Sequence, residues 1–391
     1  MKTQLVIFGV TGDLAGRKLL PALDSIIETG QYDDLTIVGV SRRSVDKEAL
    51  LNTHPLLVDR TSIFSMDLAE ANEYERLKDF LEAQQADQTL FYLSVPPGAA
   101  AGIVDFLGVS GLNGPQYKVL FEKPFGFDLV SAKEFIARTA EYFNEDQLYR
   151  IDHYMGKEIA AELLNLRQNA ENHHHHWNNQ SVKSITVVAT ETIGIEGRAQ
   201  FYEQTGALRD FVQGHLFQLL SLVLMQNPQP QDLPGQRLKA LQALTPVDPE
   251  KATRAQYETY QSEVENPGSQ TETFVAFMID SDDPAWTGVP IRLLTGKGMH
   301  EKRSYVSIEY KDGTSDVFDE MQLASRNERH LDAYERVLIE AIQGRQAMFT
   351  SGEEVIRSWE LLAPLQESWS MTNEPLPTYE NGTDFTALTL S

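Results

Sequence analysis

Over the first 152 or so residues, five short apolar, β-rich runs recur with amphipathic stretches of helical character between them. The runs are Gln4–Gly9, Leu35–Val40, Thr89–Val95, Tyr117–Phe121 and Leu148–Ile151, and the helical stretches lie near 17–29, 69–85, 98–108 and 128–144. Strands that are apolar throughout must be buried on both faces, and strands separated by helices run parallel. The pattern predicts a doubly wound, Rossmann-like α/β sheet, the strongest constraint that the sequence imposes.

Beyond about residue 170 the texture changes. Longer alternating segments at Val182–Glu191, Thr271–Ile279, Ile291–Leu294 and Ser304–Tyr310 accompany helices near 206–225, 328–343 and 352–371. Strands grouped in this way predict an α+β domain on a mainly antiparallel sheet. The stretch Asn227-Pro228-Gln229-Pro230 through Pro234-Gly235 reads as a break after a helix. A chain of 391 residues exceeds what one hydrophobic core supports. The expected division is a dinucleotide-binding domain over 1–170 and a substrate and oligomerisation domain over 171–391.

Charge limits the partners. With 33 Lys and Arg against 57 Asp and Glu, the net charge is −24, which repels nucleic acid and anionic membranes. A phosphorylated substrate would be repelled too, so any such reading must show a local group of Lys, Arg and His. No apolar run has the length of a membrane span. Met1-Lys2-Thr3 leads straight into Gln4–Phe8, unlike a secretory leader. The sequence contains no cysteine, which excludes disulfide and thiolate chemistry and suits a reducing cytoplasm, the expected location.

The first strand runs into Gly9-Val10-Thr11-Gly12-Asp13-Leu14-Ala15 and then a helix. Small residues at such a turn let backbone and helix N–H groups approach a phosphate; a tight βα turn with no ligand is the plainer alternative. The second strand ends in Ser41-Arg42-Arg43, where an NAD site usually carries an acid. Two guanidiniums suit the additional phosphate of NADP, with NAD use also open and a solvated basic loop as the alternative. Gly9, Thr11, Gly12, Asp13, Leu14, Arg42, Arg43, Pro96 and Lys123 are the cofactor-binding candidates.

The densest chemistry lies in Arg150-Ile151-Asp152-His153-Tyr154-Met155-Gly156-Lys157-Glu158, directly after a parallel strand, where α/β sheets place their ligands. Phe121-Glu122-Lys123-Pro124-Phe125-Gly126 ends the preceding strand and puts Lys123 at the same edge; its Lys-Pro bond is a candidate for cis. In the second domain, Gly206-Ala207-Leu208-Arg209-Asp210 leads to His215 on an apolar helix. Taken alone, that imidazole fits a core histidine better than a base. Glu191 reads equally as an exposed strand acid, Lys297 as a turn lysine after Gly296, and Asp210 as a helix partner of Arg209.

Taken together, these segments resemble the glucose-6-phosphate dehydrogenase family over both domains. The resemblance rests on Gly9–Ala15 with Arg17-Lys18, Phe121–Gly126, Arg150–Glu158, Glu191, Gly206–His215 and Gly296-Lys297. It implies oxidation of glucose 6-phosphate at C1 to 6-phosphogluconolactone with hydride transfer to NADP, the first step of the pentose phosphate pathway. It further implies that His215 is the general base and Asp152 its orienter. His153, Tyr154 and Lys157 would hold the 6-phosphate. Lys18, Glu191, Asp210 and Lys297 would contact sugar hydroxyls, Lys302 would lie near the phosphate, and Lys123 would sit between sugar and nicotinamide.

The chain departs from the family in three places. It is shorter, with Lys311–Arg326 replacing a longer stretch of sheet that normally adds strands, a sugar contact and subunit interface. A homodimer through the C-terminal sheet is therefore an expectation that the shortened region weakens. Gly214 stands before His215 where the family usually has Asn. Asn172-His173-His174-His175-His176-Trp177 fills a connection, expected to be a polar surface segment with no metal. Alternatives to the implied reaction are a dehydrogenase of another sugar phosphate or of a free sugar, and a non-catalytic paralogue that binds nucleotide or sugar phosphate.

Overall fold

The computed structural model describes residues 1–169, 176–226, 232–326, 331–372 and 374–388. The chain forms two compact units. The first comprises Met1–Phe125, Lys133–Gly156 and Leu331–Gly352; the second is built from Gly126–Ala132 and the described parts of Lys157–His330 and Glu353–Ser391. The 331–352 segment thus joins the amino-terminal unit, and 157–169 belongs with the other, while the sequence alone suggested one boundary near 170.

The first unit holds strands β1 (Thr3–Phe8), β2 (Leu35–Ser41), β3 (Thr61–Ser65), β4 (Gln88–Leu93), β5 (Tyr117–Phe121) and β6 (Leu148–Ile151). They lie in the order β6-β5-β4-β1-β2-β3, all parallel, and the two-residue strand Phe349–Thr350 adds antiparallel to β6. This is the doubly wound sheet expected. Every residue of β1 and β4 is buried, because helices cover both faces. The order reverses between β1 and β4, which opens a crevice at their carboxyl ends. Helix Leu20–Glu28 turns Leu20, Leu23, Ile26 and Ile27 inward at helical spacing. Helix Ala333–Ile342 sets Tyr334, Val337, Leu338 and Ala341 into the same core, with the Asp332 carboxylate accepting the Tyr334 N–H at 2.9 Å as its cap.

The second unit is built on β7 (Val182–Thr190), β8 (Ala252–Tyr257), β9 (Phe274–Ile279), β10 (Ile291–Gly296), β11 (Arg303–Tyr310) and β12 (Ser315–Asp319). The order is β12-β11-β7-β10-β9-β8, closed by the short strand Thr378–Tyr379. The sheet is mainly antiparallel, as expected, and β7 and β10 form a parallel pair near its middle. Helical residues Leu208–Leu216 and Phe217–Leu224 pack as a buried rod, the first stretch lying on β7 and β10. The Pro234-Gly235 pair lies inside a helix, Leu233–Gln242, rather than in a break: proline has no N–H to lose in the first turn.

Candidate active site

In the first unit, β1 ends at Gly9, whose backbone turns at φ +82°. A Cβ there would lie 2.2 Å from the Ser94 carbonyl oxygen, so only glycine fits. Gly12 donates to the Gly9 carbonyl at 2.9 Å and closes the turn before the helix begins. A cavity of about 770 Å³ opens over the ends of β1, β2 and β4, within the ~300–1,000 Å³ usual for small-molecule sites. Gly9, Thr11, Gly12, Arg42, Arg43 and Pro96 line it. The Ser41 hydroxyl accepts the Arg43 N–H at 3.3 Å and the Ser65 hydroxyl donates to the Arg43 carbonyl, which fixes the turn while both guanidiniums stay exposed over the cavity. A cradle that excludes Cβ at one end and carries two guanidiniums at the other fits a dinucleotide with an additional phosphate. Asp13 pairs with Arg17 at 2.7 Å, and Leu14 packs against the core.

Sequence reasoning missed several lining groups. Asp67, Leu68 and Ala69 follow β3, and Asp67 is the sole carboxylate among the described lining residues. Gly98 and Gly102, on helix Pro97–Val109, open toward empty space. The small-residue run Gly98-Ala99-Ala100-Ala101-Gly102 was the available signal, since such a helix leaves room beside it.

The same carboxyl edge carries the acid and phenol groups. Asp152 is buried, and its carboxylate accepts the Tyr154 N–H at 3.0 Å, which orders the turn His153–Gly156. His153 is half-buried and stacks on Tyr334 with ring centroids 6.3 Å apart and planes 9° apart. Lys18 lies 5.9 Å over the same Tyr334 ring and 3.5 Å from the Asp332 carboxylate. Tyr334 therefore gathers His153 and Lys18, a role hidden in sequence because the ring comes from the 331–352 segment. Arg150, fully buried, pairs with Glu145 at 2.6 Å and serves the fold.

The Lys123–Pro124 bond is cis, as the sequence allowed, and Lys123 is half-buried. Beside it the Glu122 carboxylate accepts the hydroxyl of the buried Tyr92. Burial pushes the Glu122 carboxyl up to about 7, with the Asp152 charge adding to the rise; the Tyr92 hydrogen bond and Lys123 act against it. Burial, then Glu122, raises the Tyr334 phenol well above its ordinary range.

In the second unit, β7 and β10 end side by side, with Thr190 opposite Gly296, so Glu191 and Lys297 emerge together. The Lys297 ammonium bonds the Glu191 carboxylate. It is 2% exposed, and the rings of Tyr202 and Phe211 lie 5.3 and 5.4 Å from it. Phe211 also meets His215 edge to face at 5.6 Å, so one ring neighbours both the Lys297 ammonium and the imidazole, which is itself 4% exposed. Asp210 is half-buried on the same helical stretch.

That stretch is aimed by its start. Gly206 adopts φ +60°, ψ −178°, and a Cβ there would lie 2.5 Å from the Glu272 carboxylate. Glu272 in turn accepts the Leu208 N–H at 2.9 Å, and its carbonyl accepts that of Ala207. Burial raises the Glu272 carboxyl above its usual range, and its hydrogen bonds oppose the rise.

Lys157 is half-buried at the start of helix Glu158–Gln168. Lys302 is exposed between β10 and β11. Of the histidine run, His173 to His175 lie outside the described residues; His176 is exposed.

Comparison with known proteins places these features in context. Residues 6–162 match the model described as glucose-6-phosphate dehydrogenase, NAD binding domain. Residues 164–331 and 319–387 match the C-terminal domain of the same family. The glucose-6-phosphate 1-dehydrogenase of Dickeya dadantii is 32% identical over an alignment of 460 residues that covers 97% of this chain and 94% of the relative. The Bacillus subtilis enzyme of that name is 29% identical, covering 97% and 94%. An alignment longer than the 391-residue chain means that the relative carries segments absent here. A solved glucose-6-phosphate dehydrogenase in complex with its substrate glucose-6-phosphate superposes with a TM-score of 0.89 at 26% identity, over 98% of this chain and 95% of that one. The glucose-6-phosphate 1-dehydrogenase from Mycobacterium avium gives a TM-score of 0.85 at 28% identity, over 98% and 94%. No helix among the described residues is long and apolar enough to cross a membrane. Matched along both units in sequence and in fold, the chain belongs to the glucose-6-phosphate dehydrogenase family.

Proposed function

We propose that this protein oxidises glucose 6-phosphate at C1 to 6-phosphogluconolactone in the cytoplasm, as the entry step of the pentose phosphate pathway. The observation that carries the reading is the array in the second unit. An imidazole, the side chain most used as general base, and the buried ammonium of a Lys–Glu ion pair suited to sugar hydroxyls both neighbour the Phe211 ring.

His215 takes the proton of the C1 hydroxyl as the C1 hydride departs. Asp152 orients the imidazole and stabilises its charged form, an arrangement typically worth ~10²–10⁴ in rate. NADP bound over Gly9, Gly12, Arg42 and Arg43 supplies the hydride acceptor. Lys123 positions the sugar against it. His153, Tyr154 and Lys157 bind the 6-phosphate and offset the net charge of −24 locally, with Lys302 contributing at the edge. Lys18, Glu191, Asp210 and Lys297 hold the remaining hydroxyls. Residues 1–170 supply the dinucleotide-binding domain, and 171–391 the substrate and oligomerisation domain. A homodimer through the second sheet completes the proposal.

Steady-state assay against glucose 6-phosphate, other sugar phosphates and free glucose, each with NADP and NAD, tests it. The expected result is turnover of glucose 6-phosphate with NADP favoured. Activity on free glucose that survives Lys157→Ala would contradict the phosphate role, and no turnover on any pair would contradict enzymatic function.

A further inference from the structure

Tyr202 differs from the tyrosines packed around it. It is 1% exposed on the helix Ala199–Ala207, within a cluster that includes Tyr257, Tyr260 and Tyr379. Each of those three hydroxyls is hydrogen-bonded, Tyr257 to Glu263, Tyr260 to Glu203 and Tyr379 to the Lys297 carbonyl. The Tyr202 hydroxyl is equally buried and finds no partner among the described residues. Burying an unmatched hydroxyl costs stability, and phenylalanine would fill the same space without that cost.

The surroundings point to what the hydroxyl is for. The Lys297 ammonium stands 5.3 Å over the Tyr202 ring. After burial itself, the charge that most strongly holds the phenol proton in place is that of Asp210, followed by Glu272. Tyr202 therefore carries one group read above as a sugar ligand on its ring and feels the charge of another. Resting on that reading, we propose that Tyr202 is a positioning residue of the sugar site. Its ring seats the Lys297 ammonium, and its hydroxyl donates to the Asp210 carboxylate once sugar hydroxyls engage Asp210 and Lys297. A buried hydroxyl left unmatched within the fold is the cost of a hydrogen bond reserved for the complex.

The test compares wild type, Tyr202→Phe and Tyr202→Leu for turnover of glucose 6-phosphate with NADP and for thermal midpoint. Tyr202→Phe is expected to keep or raise the midpoint, to raise KM for glucose 6-phosphate about tenfold, and to leave KM for NADP unchanged. Tyr202→Leu, which also removes the ring, is expected to raise that KM further and to lower the midpoint. A phenylalanine variant with wild-type KM for glucose 6-phosphate would overturn the positioning role while the functional reading stood. So would one that lost sugar and NADP affinity equally along with thermal stability. A wild type inert toward glucose 6-phosphate would overturn both.

Discussion

Lys297 and Glu191 form an ion pair at the adjoining ends of β10 and β7, with the ammonium 2% and the carboxylate 22% exposed. The asymmetry predicts which partner is costlier to lose. Glu191→Gln strands a buried ammonium, a change worth about 3–5 kcal/mol when one member of a buried pair goes. Lys297→Met leaves only a partly solvated carboxylate and keeps an unbranched stem between Tyr202 and Phe211. Urea unfolding should show Glu191→Gln as the less stable variant, while both raise KM for the sugar. The reverse order of stability would mean that the ammonium finds other compensation.

Arg42 lines the cavity; if its guanidinium holds the phosphate that NAD lacks, as proposed, Arg42→Ala weakens NADP by tenfold or more and NAD by less than threefold. Fluorescence titration with each nucleotide measures this. Equal losses would remove Arg42 from that contact.

Glu122 makes stability depend on pH in an unusual sense for a carboxylate. Its folded pKa, about 7, lies above its ordinary value of 4.5, so the fold favours the neutral acid. That contribution is fully present at low pH and is lost as pH rises through about 4.5 to 7. Among the described residues, Tyr92, Tyr334, Asp152 and Lys123 are titratable groups that face it. Glu122→Gln keeps an acceptor for Tyr92 and cannot ionise. The gap in thermal midpoint between Glu122→Gln and wild type should therefore move in the variant's favour between pH 5 and pH 8. A constant gap would show that Glu122 does not ionise within that window.

Gly206→Ala forces a side chain into a backbone conformation open to glycine and against the Glu272 carboxylate. The strain, about 1–3 kcal/mol, falls at the start of the stretch that carries Asp210 and His215. Lower stability together with a fall in kcat is expected from unfolding and kinetic measurements. Full activity would mean that this helix start does not aim the imidazole.

Much of the first unit was legible in the sequence because its central strands are buried on both faces. Tyr117–Phe121 and Leu148–Ile151 emerge with the bounds that their apolar runs suggested. β3 and β12 escaped notice: five residues each, with exposed positions along both, they carry too little apolar signal. Helix Ala333–Ile342 shows its periodicity in sequence but not its address, since any apolar face could fill such a core. Tyr334, Tyr202 and Asp67 stayed hidden for the same reason. Nothing in their local sequence says which cavity or charge they will meet. Glycine turns and the Arg150–Glu158 string were readable because their chemistry is local.

The account depends most on His215 acting as the base. Replacement by asparagine keeps a polar side chain of similar size but cannot accept a proton at the same step. Initial rates of NADPH formation for His215→Asn, with glucose 6-phosphate affinity measured separately by calorimetry, decide the matter. The predicted result is a fall in kcat of ~10²–10⁴ with affinity within a few-fold of wild type. A variant that turns over at a rate close to wild type would contradict the mechanism.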